Sequence, residues 1–239
     1  MSYNVIKQTD LGYLLYNPND QYVGRSIEHY GSYQLEELKF FKKEVKRGDH
    51  VVEIGANIGA HTLFFSNRVG DKGRVLAFEP QRLIFQTLCA NMAINSRTNV
   101  DCKQMGVGGK NQLIKVPILD PEHNQNFGGL SIKEHEQGED VAVVKLDNVG
   151  LKRLDFLKID VEGMEPEVLM GGLSTIYTLK PVIYMEVDRG ENNPLLLEIL
   201  DSLKYSVEQH EPPLHSPDYK QENIFGEIVS SNAICRPRN

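Results

Sequence analysis

The chain is poor in cysteine, with only Cys89, Cys102 and Cys235. None stands in a C-x-x-C pair, and an odd number cannot all pair within one chain. Free thiols in a reducing compartment are the reading. Basic residues are also in deficit: 26 Lys and Arg against 33 Asp and Glu give a formal net charge of −7. That argues against general binding along a nucleic-acid backbone, which needs a basic face. No apolar stretch approaches the ~18 residues of a membrane-spanning helix. The opening MSYNVIKQTD lacks the apolar segment of a secretory signal. The expectation is a cytoplasmic protein without a membrane span. Also missing are G-x-G-x-x-G, G-K-[ST], a metal-spaced histidine pair such as H-E-x-x-H, internal repeats and low-complexity segments.

What is present begins at residues 51–62, VVEIGANIGAHT. Val51 to Ile54 read as a short buried strand. Gly55 to Gly59 form a small-residue turn, and a helical apolar pattern starts at Ile58. Strand, glycine turn and helix make a nucleotide-binding βα unit. Glu79 closes the next strand, RVLAFEP. It follows the turn at close to the ~20 residues typical of a carboxylate that holds a ribose.

The remaining chain fits one α/β domain. Residues 1–30 read as an N-terminal strand-and-turn extension, and 31–239 as a single domain. SIEHYGSYQLEELKFFKKEV turns helical, with Leu35, Leu38, Phe41 and Val45 spaced three and four apart, and Gly31-Ser32-Tyr33 lies just before that helix, placed to cover the pocket. A helix at 83–96 and a strand at 99–107 continue a β-α-β-α-β alternation, which calls for a parallel sheet with helices on both faces. At about 110–150 the rhythm breaks into a hairpin with a long loop, whose Asn126, Phe127, Gly128 and Gly129 are expected to face a ligand. FLKID (156–160) resumes the parallel pattern. A helix from Glu165, the strand PVIYMEVD, a helix over NPLLLEILDSL and two final strands follow.

The predicted strand ends carry Glu53, Glu79, Asp160 with Glu162, and Glu186 with Asp188. A phosphate-bearing nucleotide wants glycine amides and often Lys or Arg. A carboxylate wall suits a cationic, phosphate-free nucleoside, and S-adenosylmethionine has that chemistry.

VVEIGANIGAHTLFFS, GRVLAFEP, LDFLKIDVEGMEPEVLMGG and a strand ending in MEV, in this order, resemble the FkbM-type S-adenosylmethionine-dependent methyltransferases. The resemblance runs from about Gly31 to Val187. It implies a Rossmann-like class I methyltransferase fold: a seven-stranded, mostly parallel sheet with helices on both faces, here with an inserted β-hairpin. It implies O-methylation, commonly of a sugar or polyketide hydroxyl. Glu53 stands where the family usually has Asp, and Gly106-Val107-Gly108 where it usually has A-V-G.

Carried over, Gly55, Ala56, Asn57 and Gly59 line the cofactor's methionine part. Glu53 bonds its amino-acid end, and Glu79 with Pro80 meets the ribose. Val107 and Gly108 pass the adenine. Thr62 and Asp160 are further cofactor contacts; His61, at the same helix start, reads as a contact or, in preference, as a plain helix-surface residue. For catalysis, Asp160 is the best-placed base or metal ligand, with Glu162 and Glu186 as partners and His29 as the alternative base. The competing reading has Asp160 capping the next helix and Glu162 bonding turn amides. A divalent metal, held by Asp160 and Glu186, is possible chemistry but is not favoured. His123, His135, His210 and His215 read as surface residues, and Lys42, Lys43, Lys46 and Arg47 as a solvated helix face. The expected partner is a small-molecule or glycan acceptor, contacted by the N-terminal 35 residues, the 120–140 loop and the C-terminal segment. Methylation of RNA or protein, a non-catalytic cofactor-binding module and a nicotinamide-dependent oxidoreductase are the rivals.

Overall fold

The computed structural model describes residues 3–130, 135–187 and 193–238. The chain opens with an antiparallel hairpin, β1 (Val5–Thr9) and β2 (Gly12–Tyr16). The helix expected after Gly31-Ser32-Tyr33 is present, and a separate short helix precedes it. Gly31, at φ 73°, closes α1 (Val23–Tyr30), and α2 (Leu35–Glu44) starts afresh. Glycine enters that left-handed backbone without a Cβ clash, which makes it a natural helix stop. The N-terminal segment packs on the main body: Leu14, Tyr16, Val23 and Ile27 share a buried cluster with Ala56, Ile58, Leu63 and Leu88.

The alternation then runs as expected through β3 (His50–Ile54), α3 (Ala60–Val69), β4 (Arg74–Phe78), α4 (Arg82–Ile94) and β5 (Val100–Lys103). The strand expected over 99–107 breaks in two. The Met105 amide turns back onto the Lys103 carbonyl at 2.9 Å, and the chain leaves the sheet. The pair Gly106–Val107 is β6. It lies in a separate small sheet beside the inserted antiparallel hairpin, β7 (Gln112–Val116) and β8 (Glu139–Val144). The chain continues with β9 (Phe156–Ile159), α5 (Glu165–Gly171), α6 (Leu173–Leu179), β10 (Val182–Glu186), α7 (Asn193–Ser202), β11 (Tyr205–His210) and β12 (Asn232–Pro237).

The main sheet has seven strands in the order β11-β12-β10-β9-β3-β4-β5. β10, β9, β3, β4 and β5 pair in parallel, and β12 is antiparallel to both β10 and β11. β12 alone therefore opposes the other strands, the Rossmann-like arrangement expected. The central strands are buried on both faces, as crossover helices require. Val51, Phe156 and Tyr184 meet Phe41 of α2 and Phe65 of α3. On the other face Val52, Leu157 and Ile183 meet Leu169 of α5 and Leu200 of α7. Glu53 and Lys158 lie opposite each other in β3 and β9. By the two-residue alternation of strands they share the face of Val51 and Phe156, beneath α2 and α3. Among the described residues no helix is long and apolar enough to cross a membrane.

Candidate active site

The parallel strands deliver their last residues to one cleft of about 1040 Å³, its open mouth included. Its wall includes Glu53 and Gly55 from the end of β3, Glu79 after β4, Asp160 after β9 and Glu186 ending β10. The turn is shaped for close approach. Gly55 (φ 84°) and Asn57 (φ 51°) both sit in the left-handed region. The amides of Gly55 and Ala56 bond the carbonyl of Phe78 at 3.0 and 2.9 Å, tying the turn to β4.

Glu79 is fixed at both carboxylate oxygens. Its Oε2 accepts the Asn57 amide at 2.9 Å, and its Oε1 accepts the Gln81 amide at 2.9 Å. Burial nevertheless pushes its pKa up to about 7. Glu53 is raised to about 7 by burial as well, against the pull of Lys158 and of Thr62, whose hydroxyl donates to Glu53 Oε2 at 2.6 Å. Lys158 is buried to 3% exposure and places its Nζ 2.8 Å from Asp160 Oδ2. The nearby carboxylates of Asp160, Glu53 and Glu37 hold its ammonium in the charged form, against burial. Glu37 of α2, also buried, is raised to about 8 by burial and accepts Asn232 Nδ2 at 3.1 Å. Carboxylate oxygens of Asp160, Glu162 and Glu186 lie within 4.8 Å of one another.

A strap and a loop from distant parts of the sequence roof this cleft. Asp20 bridges Gln125, and Gln21 N donates to the Gln125 carbonyl at 3.1 Å. Gln81 Nε2 holds the Phe127 carbonyl at 2.8 Å. Of the loop residues expected to face a ligand, Asn126 and Gly128 line the cleft and Gly129 does not; Leu130 lines it as well. Phe127 instead turns into a second, mainly apolar cavity of about 650 Å³ between the hairpin and α4.

The family model of the methyltransferase FkbM domain matches residues 53–210. This chain belongs to the FkbM methyltransferase family. It is 26% identical over 194 residues to Methyltransferase 1 of Beauveria bassiana, covering 71% of this chain and 77% of that protein. The crystal structure of methyltransferase FkbM from Methylobacillus flagellatus superposes with a TM-score of 0.55 at 18% identity, over 82% of this chain. The chain spans only half the length of that protein, 50%. A SAM-dependent O-methyltransferase of Thermotoga maritima gives a TM-score of 0.50 at 13% identity, over 98% of this chain and 78% of that one.

Within this FkbM-family fold several expected site residues take other places. Gly59 faces α4: a Cβ there would meet Leu88 Cδ1 at 2.6 Å, so the glycine serves helix packing. Thr62 is fully buried behind Glu53, which it orients. Val107 and Gly108 are not among the residues lining the cleft. Their strand has broken away into the small sheet, where Val107 is buried in the core. His29 is not in the cleft either; its Nε2 lies 3.1 Å from the Glu222 carbonyl, because α1 ends against the C-terminal segment. Asp188 lies outside the described residues.

His61 is not a helix-surface residue. It is buried and lines the cleft, because α2 covers the side of α3 that the helix pattern left open. Its ring stands edge-on to Phe41 at 5.4 Å. His210 is likewise tucked against Phe40, with Nδ1 2.9 Å from the Tyr184 hydroxyl. Glu165 bonds the turn after Asp160. Glu165 Oε1 accepts the Val161 and Gly163 amides at 3.3 and 3.1 Å, and α5 carries no side-chain cap from Asp160. Glu162, at φ 56°, sits on a left-handed backbone at the cleft wall. A non-glycine residue in that conformation stores strain, a mark of functional turns.

Proposed function

We propose that this chain is an S-adenosylmethionine-dependent O-methyltransferase acting on a hydroxyl of a saccharide or another small polar acceptor. One observation carries the reading: Glu53, Glu79 and Asp160 converge from three parallel strand ends on a cleft where carboxylates outnumber cations. Among the described lining residues Lys158 is the one strong base, and it is engaged with Asp160. Such a wall favours a cationic, phosphate-free nucleoside over a dinucleotide. The family membership and the O-methyltransferase of like fold support the same choice.

When bound, the cofactor supplies an electrophilic methyl group on a sulfonium. Glu79 would receive the ribose hydroxyls, Glu53 the amino group, and the backbone of Gly55, Ala56 and Asn57 the methionine chain. Asp160, with Glu162 and Glu186 beside it, would align the acceptor hydroxyl and take its proton. A positioned base of this kind typically contributes ~10²–10⁴-fold. The reading includes no metal, because Lys158 already supplies the positive charge beside Asp160. An RNA acceptor fits poorly with the net charge of −7.

Calorimetry with S-adenosylmethionine and with NAD is the first test, and binding of the former alone is expected. Homocysteine release over a panel of sugars and small alcohols then identifies the acceptor class. Failure to bind S-adenosylmethionine would sink the proposal. Binding without turnover on any acceptor would point to a non-catalytic module.

A further inference from the structure

Two residues of the cleft that Glu53 lines carry polar atoms without a partner among the described residues. His61 is 5% exposed, and among the described residues its Nε2 has no hydrogen-bond partner. Gln34 is 9% exposed, and its Oε1 has none either. Both residues line the cleft. Buried polar atoms are nearly always paired, so two on one wall mark a place where a ligand completes the bonding.

The donors available there are few. Gln34 Nε2 is spent on Ser230 Oγ at 2.7 Å, and Asn232 Nδ2 on Glu37 Oε1 at 3.1 Å. Lys158 has three N–H donors and directs one to Asp160 Oδ2. His61 is kept neutral: burial and the charge of Lys158 hold its imidazole well below its usual range. A neutral imidazole with its proton on Nε2 is a donor, and His61 is one of the residues that line the cleft. His61 also stands in the first turn of α3, a helix of ten residues whose N-terminal end carries partial positive charge. Around these groups lie Glu37, Glu53 and Asp160. An anion entering beside three carboxylates needs the donors, whereas a cation is already provided for.

We propose that His61 and Lys158, at the N-terminal end of α3, form the subsite for the α-carboxylate of the cofactor's methionine, while Glu53, Glu37 and Gln34 Oε1 receive its ammonium. The assignment rests on the S-adenosylmethionine reading above. It stretches the cofactor from Glu79 at the ribose end to His61 at the amino-acid end. Asp160 and Glu186 are then left to the acceptor.

The test compares two ligands by calorimetry: S-adenosylhomocysteine, which carries the amino-acid end, and 5′-methylthioadenosine, which lacks it. His61→Ala should weaken S-adenosylhomocysteine about tenfold or more, the worth of a hydrogen bond to a charged group. It should leave methylthioadenosine within about twofold. His61→Gln, which keeps a donor and more of the volume, should recover part of the loss. Retained methylthioadenosine binding reports that each variant is folded. Equal weakening of both ligands would assign His61 to packing, and unchanged S-adenosylhomocysteine binding would remove it from the subsite; either outcome overturns the proposal. If the wild-type protein binds neither ligand, the cofactor reading itself fails.

Discussion

A Cβ on Gly55 would stand 1.8 Å from the carbonyl oxygen of Asp160. The turn after β3 and the end of β9 therefore touch through backbone alone, and Gly55 is at φ 84° besides. Gly55→Ala should cost about 2–4 kcal/mol, combining left-handed strain with a forced separation of the two strand ends. Gly31→Ala is the control. Gly31 shares the left-handed conformation at φ 73° but has nothing within 4 Å of an added Cβ, so about 1–2 kcal/mol is expected. Urea unfolding of both variants checks the difference; equal losses would remove the packing argument.

Lys158→Met removes the buried ammonium that Asp160, Glu53 and Glu37 share. Asp160 is 39% exposed and recovers part of its solvation, whereas Lys158 is at 3%. The loss should fall near the lower end of that for a broken buried pair, about 3 kcal/mol. Adding Asp160→Asn should destabilise by less than the sum of the single changes. Strict additivity in denaturant melts would show that the pair is not coupled.

Glu79→Ala should cut S-adenosylhomocysteine affinity at least tenfold, because it removes the carboxylate proposed to hold the ribose and frees the Asn57 amide that shapes the turn. It also leaves the Asn57 and Gln81 amides without their carboxylate partner, at about 1–3 kcal/mol each if they stay buried. Calorimetry and thermal melting report the two effects separately. Affinity equal to wild type would detach Glu79 from the cofactor.

Asp160→Ala tests the other side of the reaction. Cofactor binding should stay within about threefold, and turnover on the identified acceptor should fall ~10²–10⁴-fold. Added chelator should change neither quantity in the wild-type protein. Normal turnover by Asp160→Ala would move the base to Glu162 or Glu186.

Glu37, Glu53 and Glu79 are raised from 4.5 to about 8, 7 and 7. Below their ordinary value both folded and unfolded chains hold these protons. Above it the unfolded chain releases them first, so these groups make stability fall as pH rises from about 4.5 through about 7–8. The Glu37 contribution depends on Lys158, Asp160, Asn232 and Tyr184, which all bear on its carboxyl. An arriving ammonium favours the ionised carboxylates, so cofactor binding should release protons and strengthen between pH 6 and 8. Calorimetry in two buffers of different ionisation enthalpy reads that release directly. Proton uptake would contradict the placement of the ammonium.

The sheet and the cofactor turn were legible because each rests on local chemistry. Val51, Val52 and Ile54 are apolar around Glu53, Gly55 and Gly59 permit the turn, and Glu79 follows the next strand. The missed residues depend on what covers them. Lys158 looks like one charge in FLKID, and only the pairing with β3 places it opposite Glu53. His61 looks exposed until α2 is laid over α3. Glu37 belongs to an amphipathic helix whose polar side turned out to include the cleft wall. Val107 and Gly108 fall outside the cleft lining because the strand expected over 99–107 breaks at Lys103–Met105, a turn that nothing in NVDCKQMGV announces. Glu165 holds two turn amides that the spacing around Asp160 does not assign to it, because α5 begins there and turns its first carboxylate back on the turn.

β12 lies between β10 and β11, although it follows both in the chain. During synthesis β10 therefore presents a bare edge, and β11 has no partner, until Asn232–Pro237 has emerged. The strand that completes the sheet also carries Asn232, which bonds Glu37 at the cleft. A ribosome-bound chain stalled before β12 would expose an unpaired edge beside an unfinished cofactor pocket. Chaperone dependence during translation should thus end abruptly with the last strand, and cofactor binding should begin there.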